Sequence, residues 1–205
     1  MTNLLQVGHA KTSIPIFHTI IHDYENINKS LKEIIIEHRQ KFPEDTQSNV
    51  KAWHSAWNTH EINPKFQPLI EIVLKGCKFI DEGYNEGRGL KYFIKELWAM
   101  MYEKDDWTKR HAHYPTHFAC CYYVEVEPNC APIIFASKVN DGKNNDNEPF
   151  ILQPKDGLLA IWPGHLHHEI PQTLGKRMCV SMNIGAIDPS QLNTVSKLSC
   201  NINWL

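Results

Sequence analysis

The residues best suited to chemistry in this sequence are a cluster of histidines and one arginine. His111 and His113 stand one residue apart. The turn Trp162-Pro163-Gly164-His165-Leu166-His167-His168 brings three more histidines, and Arg177 follows nine residues after His168. Side chains at i and i+2 of a strand point the same way, so the rings of His111 and His113 can reach one ion. A third ligand from a distant strand would close a facial set and leave the opposite face of the ion open to exchangeable ligands, as in mononuclear non-haem iron sites. Arginine adds a fixed charge whose planar fork matches a carboxylate, so an anionic co-substrate beside the metal is expected.

An isolated His-x-His is usually an ordinary surface or half-buried pair. Here six of the twelve histidines (111, 113, 117, 165, 167 and 168) fall in one 58-residue window, in segments that read as strand ends. That concentration favours a metal site over scattered structural histidines.

The elements that must position these residues divide the chain in two. Residues 14–21 are short and β-branched and read as a first strand, with Pro15 placing it near an edge. Ile27, Leu31, Ile34 and Ile35 follow helical spacing, with Asn26 or Asn28 as candidate caps and Pro43 as the stop. A second helix opens near Pro64 and carries Phe66, Leu69, Ile70, Val73, Leu74, Cys77 and Ile80 on one stripe. Both helices read as packing elements. Glycines 83, 87 and 89 mark a turn, after which the period changes to alternation: Tyr92, Ile94, Glu96, Trp98, Met100 and Tyr102 on one face, Phe93, Lys95, Leu97, Ala99 and Met101 on the other. Further strands are expected over 118–126, 133–137, 150–153, 158–162 and 178–184, and the polar stretch 140–147 reads as a solvated hairpin loop.

Helices first and short strands after predict a mainly β protein with N-terminal helices on one sheet of a sandwich or barrel. No internal repeat or linker is visible. One domain over 1–205 is expected, helical over about 22–82 and β over about 90–185. An apolar fraction of 42% with 21% charged residues is ordinary for a globular chain, and a net charge of −2 gives no footprint for a phosphate backbone. Nucleic acid and membrane are therefore not expected partners. With no long apolar run and no leader-like N-terminus, a cytoplasmic location is expected. The six cysteines form no CxxC pair, and they read as reduced thiols in the core, with Cys120 and Cys121 on opposite faces of a strand.

The last strand carries a polar row. Arg177, Cys179, Ser181 and Asn183 share one face, and Met178, Val180, Met182 and Ile184 the other. A polar row pointing inward needs partners, and a cavity beside the metal would supply them.

Taken together, Glu96-Leu97-Trp98-Ala99-Met100-Met101-Tyr102, Asp105-Asp106, His111-Ala112-His113-Tyr114-Pro115 and Cys121-Tyr122-Tyr123-Val124 resemble a family of small 2-oxoglutarate- and iron(II)-dependent oxygenases. Trp53-His54-Ser55 and the run Gly157-Leu158-Leu159-Ala160-Ile161-Trp162-Pro163 leading to His168, Arg177, Ser181 and Asn183 agree with it. The resemblance covers about residues 14–185. It implies a double-stranded β-helix (a cupin-like jelly roll), with Fe(II) and 2-oxoglutarate as cofactors. His111 and His168 match the family's two histidine ligands, and Arg177 matches the base that grips the distal carboxylate of the co-substrate. Tyr102 and Tyr123 are candidates to share that contact.

Two departures stand out: His113 occupies the position where the superfamily usually has Asp or Glu, and the usual Arg-x-Ser reads Arg177-Met178-Cys179. His113 is the expected third ligand. Asp105, Asp106 or Glu169 could fold in instead, or catalysis could be lost. The activity implied is hydroxylation of a small-molecule or peptidyl substrate with release of succinate and CO2. The alternatives are a three-histidine cupin-type iron dioxygenase that uses no 2-oxoglutarate and a non-catalytic metal-binding module. Trp98, Tyr102, Phe118, Tyr122, Tyr123 and Trp162 are candidates to wall the site. The sequence leaves the substrate open and an oligomer possible.

Overall fold

In the computed structural model, residues 6–9, 14–84, 87–135 and 149–191 are described. Two antiparallel sheets face each other. The larger orders β1 (Gln6–His9), β2 (Pro15–Ile20), β10 (Leu158–Pro163), β7 (Phe118–Val126), β12 (Arg177–Ile187), β5 (Lys91–Tyr102) and β4 (Trp53–His54). The smaller orders β3 (Val50–Lys51), β6 (Trp107–His111), β11 (His168–Ile170), β8 (Ile133–Phe135) and β9 (Phe150–Leu152). This is the double-stranded β-helix expected from the sequence. Helices α1 (Tyr24–Lys41) and α3 (Gln67–Tyr84) cover the outer face of the larger sheet, with the short α2 (Thr59–Ile62) before them in space at β5.

Two cores lie back to back on the same strands. On the helix side, Leu31, Ile34 and Ile35 of α1 and Leu69, Ile70, Val73 and Cys77 of α3 pack on Cys120, Tyr122, Val180 and Met182. Between the sheets, Trp98, Cys121, Tyr123, Phe135, Trp162 and Cys179 form the second core. Strand β7 is therefore buried on both faces, with Cys120 and Cys121 on opposite sides as the alternation requires. Alternation along β12 is also as read: Met178, Val180, Met182 and Ile184 belong to the helix-side core, and Arg177, Cys179, Ser181 and Asn183 face inward between the sheets.

Strand β2 lies near an edge as expected, one place in: β1 pairs outside it, and Pro15 opens the strand opposite His9. Three expectations need correction. Neither Asn26 nor Asn28 caps α1. Asp23 sits at the N-cap in a left-handed conformation, Asn26 donates to its carboxylate at 2.7 Å, and buried Asn28 accepts from the Tyr122 hydroxyl at 2.7 Å, tying α1 to β7. The alternation along β5 is broken by a bulge, because Asn183 pairs with Glu96 while Ile184 pairs with Ile94, leaving Lys95 as the extra residue. Tyr92 and Ile94 are thereby turned to the helix side, and the inward face of β5 ends at Glu96. Finally, β1, β3, β4, β6 and β11 lie outside the strands expected from the sequence. The polar loop expected over 140–147 lies outside the described residues, as do residues 136 and 137 of the strand expected over 133–137.

Candidate metal centre and co-substrate cavity

His111 is the last residue of β6 and His168 the first of β11, and the two are direct cross-strand partners. His113 is not on the strand with His111. It lies in the turn beyond β6, where its N–H donates to Gly164 O at 2.7 Å and its carbonyl accepts from Thr116 N at 2.8 Å and Thr116 Oγ1 at 2.6 Å. Gly164 N donates in turn to His117 O at 3.1 Å. These bonds clamp the 113–117 turn to the end of β10. The fit leaves no room at Gly164, where an added Cβ would stand 2.2 Å from Thr116 Oγ1 and 2.4 Å from Thr116 O.

His111, His113 and His168 each offer a ring nitrogen within 4.8 Å of the others. His113 Nε2 and His168 Nε2 are 3.3 Å apart, and the His111 and His168 ring centroids 4.4 Å. Lys109 O lies 2.8 Å from His111 Nδ1 and Leu166 O lies 3.2 Å from His168 Nδ1. A carbonyl at Nδ1 holds the proton there and leaves the Nε2 lone pair for a cation, the usual arrangement around ligating histidines. No carboxylate joins the cluster among the described residues. Asp106 accepts from Glu103 N at 2.8 Å, Asp105 accepts from Gln172 at 3.1 Å, and neither they nor Glu169 line the cavity. His165 and His167 are exposed, whereas His168 is 4% exposed.

Burial lowers the basicity of all three rings. Desolvation and then the neighbouring His111 depress His113 to about 3, and desolvation followed by His111 and His113 takes His168 well below its ordinary value. His111 is lowered by burial, against the Lys109 carbonyl. Three neutral imidazoles without a counter-charge are thus ready to accept a cation, and imidazole suits iron, zinc, copper and nickel.

A cavity of about 400 Å³ opens from this cluster to Arg177. Arg177 is 2% exposed. Its Nη1 donates to Ala131 O at 2.8 Å, while Nε and Nη2 have no protein partner. Burial opposes its charge, but Tyr102 and Tyr123 favour it and the net shift is upward. The guanidinium lies 4.2 Å from the Tyr102 ring centroid and 5.9 Å from that of Tyr123. The two tyrosines differ in what their hydroxyls do. Tyr102 shares a 2.6 Å hydrogen bond with Thr108, whereas the Tyr123 hydroxyl is buried without a partner. Unpaired buried donors are rare and call for a ligand. Two N–H groups of a charged guanidinium and a free phenol, side by side, fit a carboxylate.

Of the aromatic residues expected to wall the site, Trp98, Tyr102, Tyr123 and Trp162 line the cavity, while Phe118 and Tyr122 face the helices. Trp98 stacks on His113 with ring centroids 5.9 Å apart, and Trp162 meets His168 edge-on at 4.9 Å. The sequence reading did not place His54, Trp57 or Glu96 at the site. His54 and Trp57 pack against Trp98 at 5.7 and 4.5 Å, and Glu96 accepts from Asn183 Nδ2. Their signal was local: Trp53-His54-Ser55 clamps onto β5 through Ser55, whose N–H donates to Ala99 O at 3.0 Å and whose Oγ accepts from Ala99 N at 2.8 Å.

Residues 96–183 match the model of a family described as "Putative 2OG-Fe(II) oxygenase". That is the family the motifs resemble, and its name carries the iron(II) and 2-oxoglutarate dependence expected from them. No curated protein matches the sequence. Among solved structures, a prolyl-4-hydroxylase of Pseudomonas putida superposes with a TM-score of 0.62 at 11% identity, over 85% of this chain and 94% of its own. A prolyl hydroxylase of Trichoplax adhaerens, solved with a hypoxia-inducible-factor peptide, gives 0.57 at 12% identity over 98% and 89%. HygX of Streptomyces hygroscopicus, solved with nickel and 2-oxoglutarate, gives 0.58 at 10% identity over 85% and 83%. At such identities the likeness speaks for the fold. No helix among the described residues is long and apolar enough to cross a membrane.

Proposed function

We propose that this chain, whose residues 96–183 match the 2OG-Fe(II) oxygenase family, hydroxylates a C–H bond of a small-molecule or peptidyl substrate, consuming 2-oxoglutarate and O2 and releasing succinate and CO2. His111, His113 and His168 would hold iron(II). Arg177, with Tyr123 beside it, would hold the distal carboxylate of 2-oxoglutarate. The observation that carries the reading is the orphaned pair of N–H groups on buried Arg177, in the same cavity as a cluster of three neutral imidazoles.

The chemistry that iron(II) and 2-oxoglutarate supply when bound is oxidative decarboxylation coupled to oxygen insertion. The chain's own part is binding and orientation. The backbone carbonyls of Lys109 and Leu166 keep His111 and His168 in the Nδ1–H tautomer. Arg177 Nη1, anchored on Ala131 O, fixes the guanidinium plane so that Nε and Nη2 aim at one carboxylate. Trp98, Trp162 and Phe135 pack around the histidines and exclude water from the buried side. Of the two kinds of substrate, the HIF-peptide complex of the Trichoplax enzyme illustrates a peptidyl one.

A second reading has one observation in its favour: among the described residues no carboxylate joins the cluster, as in three-histidine cupin-type dioxygenases that need no 2-oxoglutarate. Arg177 would then hold the substrate's own carboxylate. The two separate in one anaerobic titration. Iron(II) with 2-oxoglutarate should give a visible metal-to-ligand charge-transfer band, followed by succinate detectable by mass spectrometry on admitting O2. Iron binding without the band or succinate would favour the second reading.

A further inference from the structure

The third histidine differs from the other two in how its ring is held. His111 and His168 each face a backbone carbonyl at Nδ1, but His113 lies in a turn that spends its own polar backbone on Gly164 and Thr116. Something else must set its ring. Directly across β5 and β12, Asn183 pairs with Glu96, at the point where the bulge ends the inward face of β5. Asn183 Nδ2 donates to Glu96 Oε2. With the amide nitrogen committed, Asn183 Oδ1 is left as an acceptor; it is buried and has no hydrogen-bond partner in the structure. The turn that carries His113 is tied to the residue next to Asn183, His117 N donating to Ile184 O at 2.9 Å, and Asn183 and His113 line the same cavity. Trp98, next but one to Glu96, lies over the same ring at 5.9 Å.

We infer that Glu96 and Asn183 form a positioning pair for His113: Glu96 fixes the rotamer of the Asn183 amide, and Asn183 Oδ1 accepts the Nδ1–H of His113, so that Nε2 faces His168. All three imidazoles then present Nε2 to one point, two through main-chain carbonyls and the third through a side-chain relay. This rests on the reading of the cluster as a metal centre. Outer partners of ligating histidines typically contribute 10- to 100-fold in metal affinity.

The test has one arm without metal and one with it. In the metal-free full-length chain carrying 15N-labelled histidine, His113 should be the Nδ1–H tautomer, and Asn183→Leu should shift its population toward Nε2–H while His111 and His168 keep theirs. In the second arm, cobalt(II) is titrated and its visible d–d absorption followed. Asn183→Leu should weaken cobalt binding 10- to 100-fold and alter the band. Asn183→Asp in the Glu96→Gln background reverses the polarity of the pair but keeps an acceptor toward His113, so it should regain affinity to within a few-fold of wild type. An unchanged His113 tautomer in Asn183→Leu overturns the inference even if the variant is less stable. So does failure of the double variant to recover when its metal-free thermal unfolding matches wild type. Failure of the metal-centre reading looks different: no cobalt binds the wild-type chain, or His111→Ala binds it equally well, whatever the tautomer result.

Discussion

The Nε2 atoms of His113 and His168 lie 3.3 Å apart, with the two rings nearly parallel at 14°, although the residues are 55 apart in sequence. Two neutral rings can share one proton at that distance, and with Nδ1–H on both rings the two lone pairs would instead meet at one cation. In the purified chain, His168→Ala should abolish binding of one iron(II) per chain, and His165→Ala should leave it intact because His165 is exposed. His113→Ala should lose most of the iron and His113→Asp should restore it. Metal content after gel filtration reads all four. Retention of full occupancy in His168→Ala would overturn the assignment.

Arg177→Met should leave iron in place and weaken 2-oxoglutarate. Charge-assisted hydrogen bonds contribute on the order of 1.5–3 kcal/mol, so the apparent affinity should fall at least tenfold. Tyr123→Phe should act in the same direction with a smaller effect, since its hydroxyl has no protein partner. Tyr102→Phe should instead cost stability, about 1 kcal/mol for the Thr108 bond. Titration of 2-oxoglutarate against the charge-transfer band separates these outcomes.

Gly164→Ala should separate the turn that carries His113 from the end of β10. The added methyl meets both Thr116 Oγ1 and the Thr116 carbonyl, and such overpacking costs about 1–3 kcal/mol. Denaturant unfolding should show that loss together with weaker metal binding. Because the backbone carbonyl is part of the clash, Thr116→Ala should not rescue it. Full rescue would show that the side chain alone sets the spacing.

The metal-free protein should be acid-sensitive. His18, His38, His54, His60, His111, His113, His117 and His168 are all shifted below 6.5, each with burial as the main cause. A depressed basic group takes its proton in the unfolded chain first. The stabilisation is therefore fully present above about 6.5, the unfolded value, and declines as pH falls below it toward the folded values. Midpoints of urea unfolding should drop through that window. His38→Leu should flatten the decline, because His38 is 2% exposed with both ring nitrogens unpartnered. Iron binding, in turn, should persist somewhat below pH 6.5, since His113 is held near 3.

Much of the fold was legible where packing alone decides structure. Strand β7 has the bounds that its apolar run suggested, and the two faces of β12 separate as alternation requires. The histidines and Arg177 were legible as residue types and spacings. What escaped was set by tertiary partners. Strands β6 and β11 are short and polar, and they exist because His168 pairs with His111 and because β11 also lies against β8. His113 reaches the cluster from a turn held by Gly164, which no strand period encodes. The bulge at Lys95, which delivers Glu96 to Asn183, follows from the register between β5 and β12 and not from either strand alone. Asp23 displaced the expected caps by adopting a left-handed conformation, with Asn26 bonded to its carboxylate and Asn28 turned to Tyr122.

The back-to-back cores give the chain a division of labour by parity. Along β7 and β12, residues 120, 122, 178, 180 and 182 look toward the helices, and residues 121, 123, 177, 179, 181 and 183 look into the cavity. Neighbouring positions in these strands therefore answer to different surroundings, the even ones to the helix-side core and the odd ones to the cavity and the core between the sheets. A change at an odd position alters the cavity lining without disturbing the surface on which α1 and α3 rest. A single-residue insertion, by contrast, would exchange the two roles along the rest of the strand at one stroke.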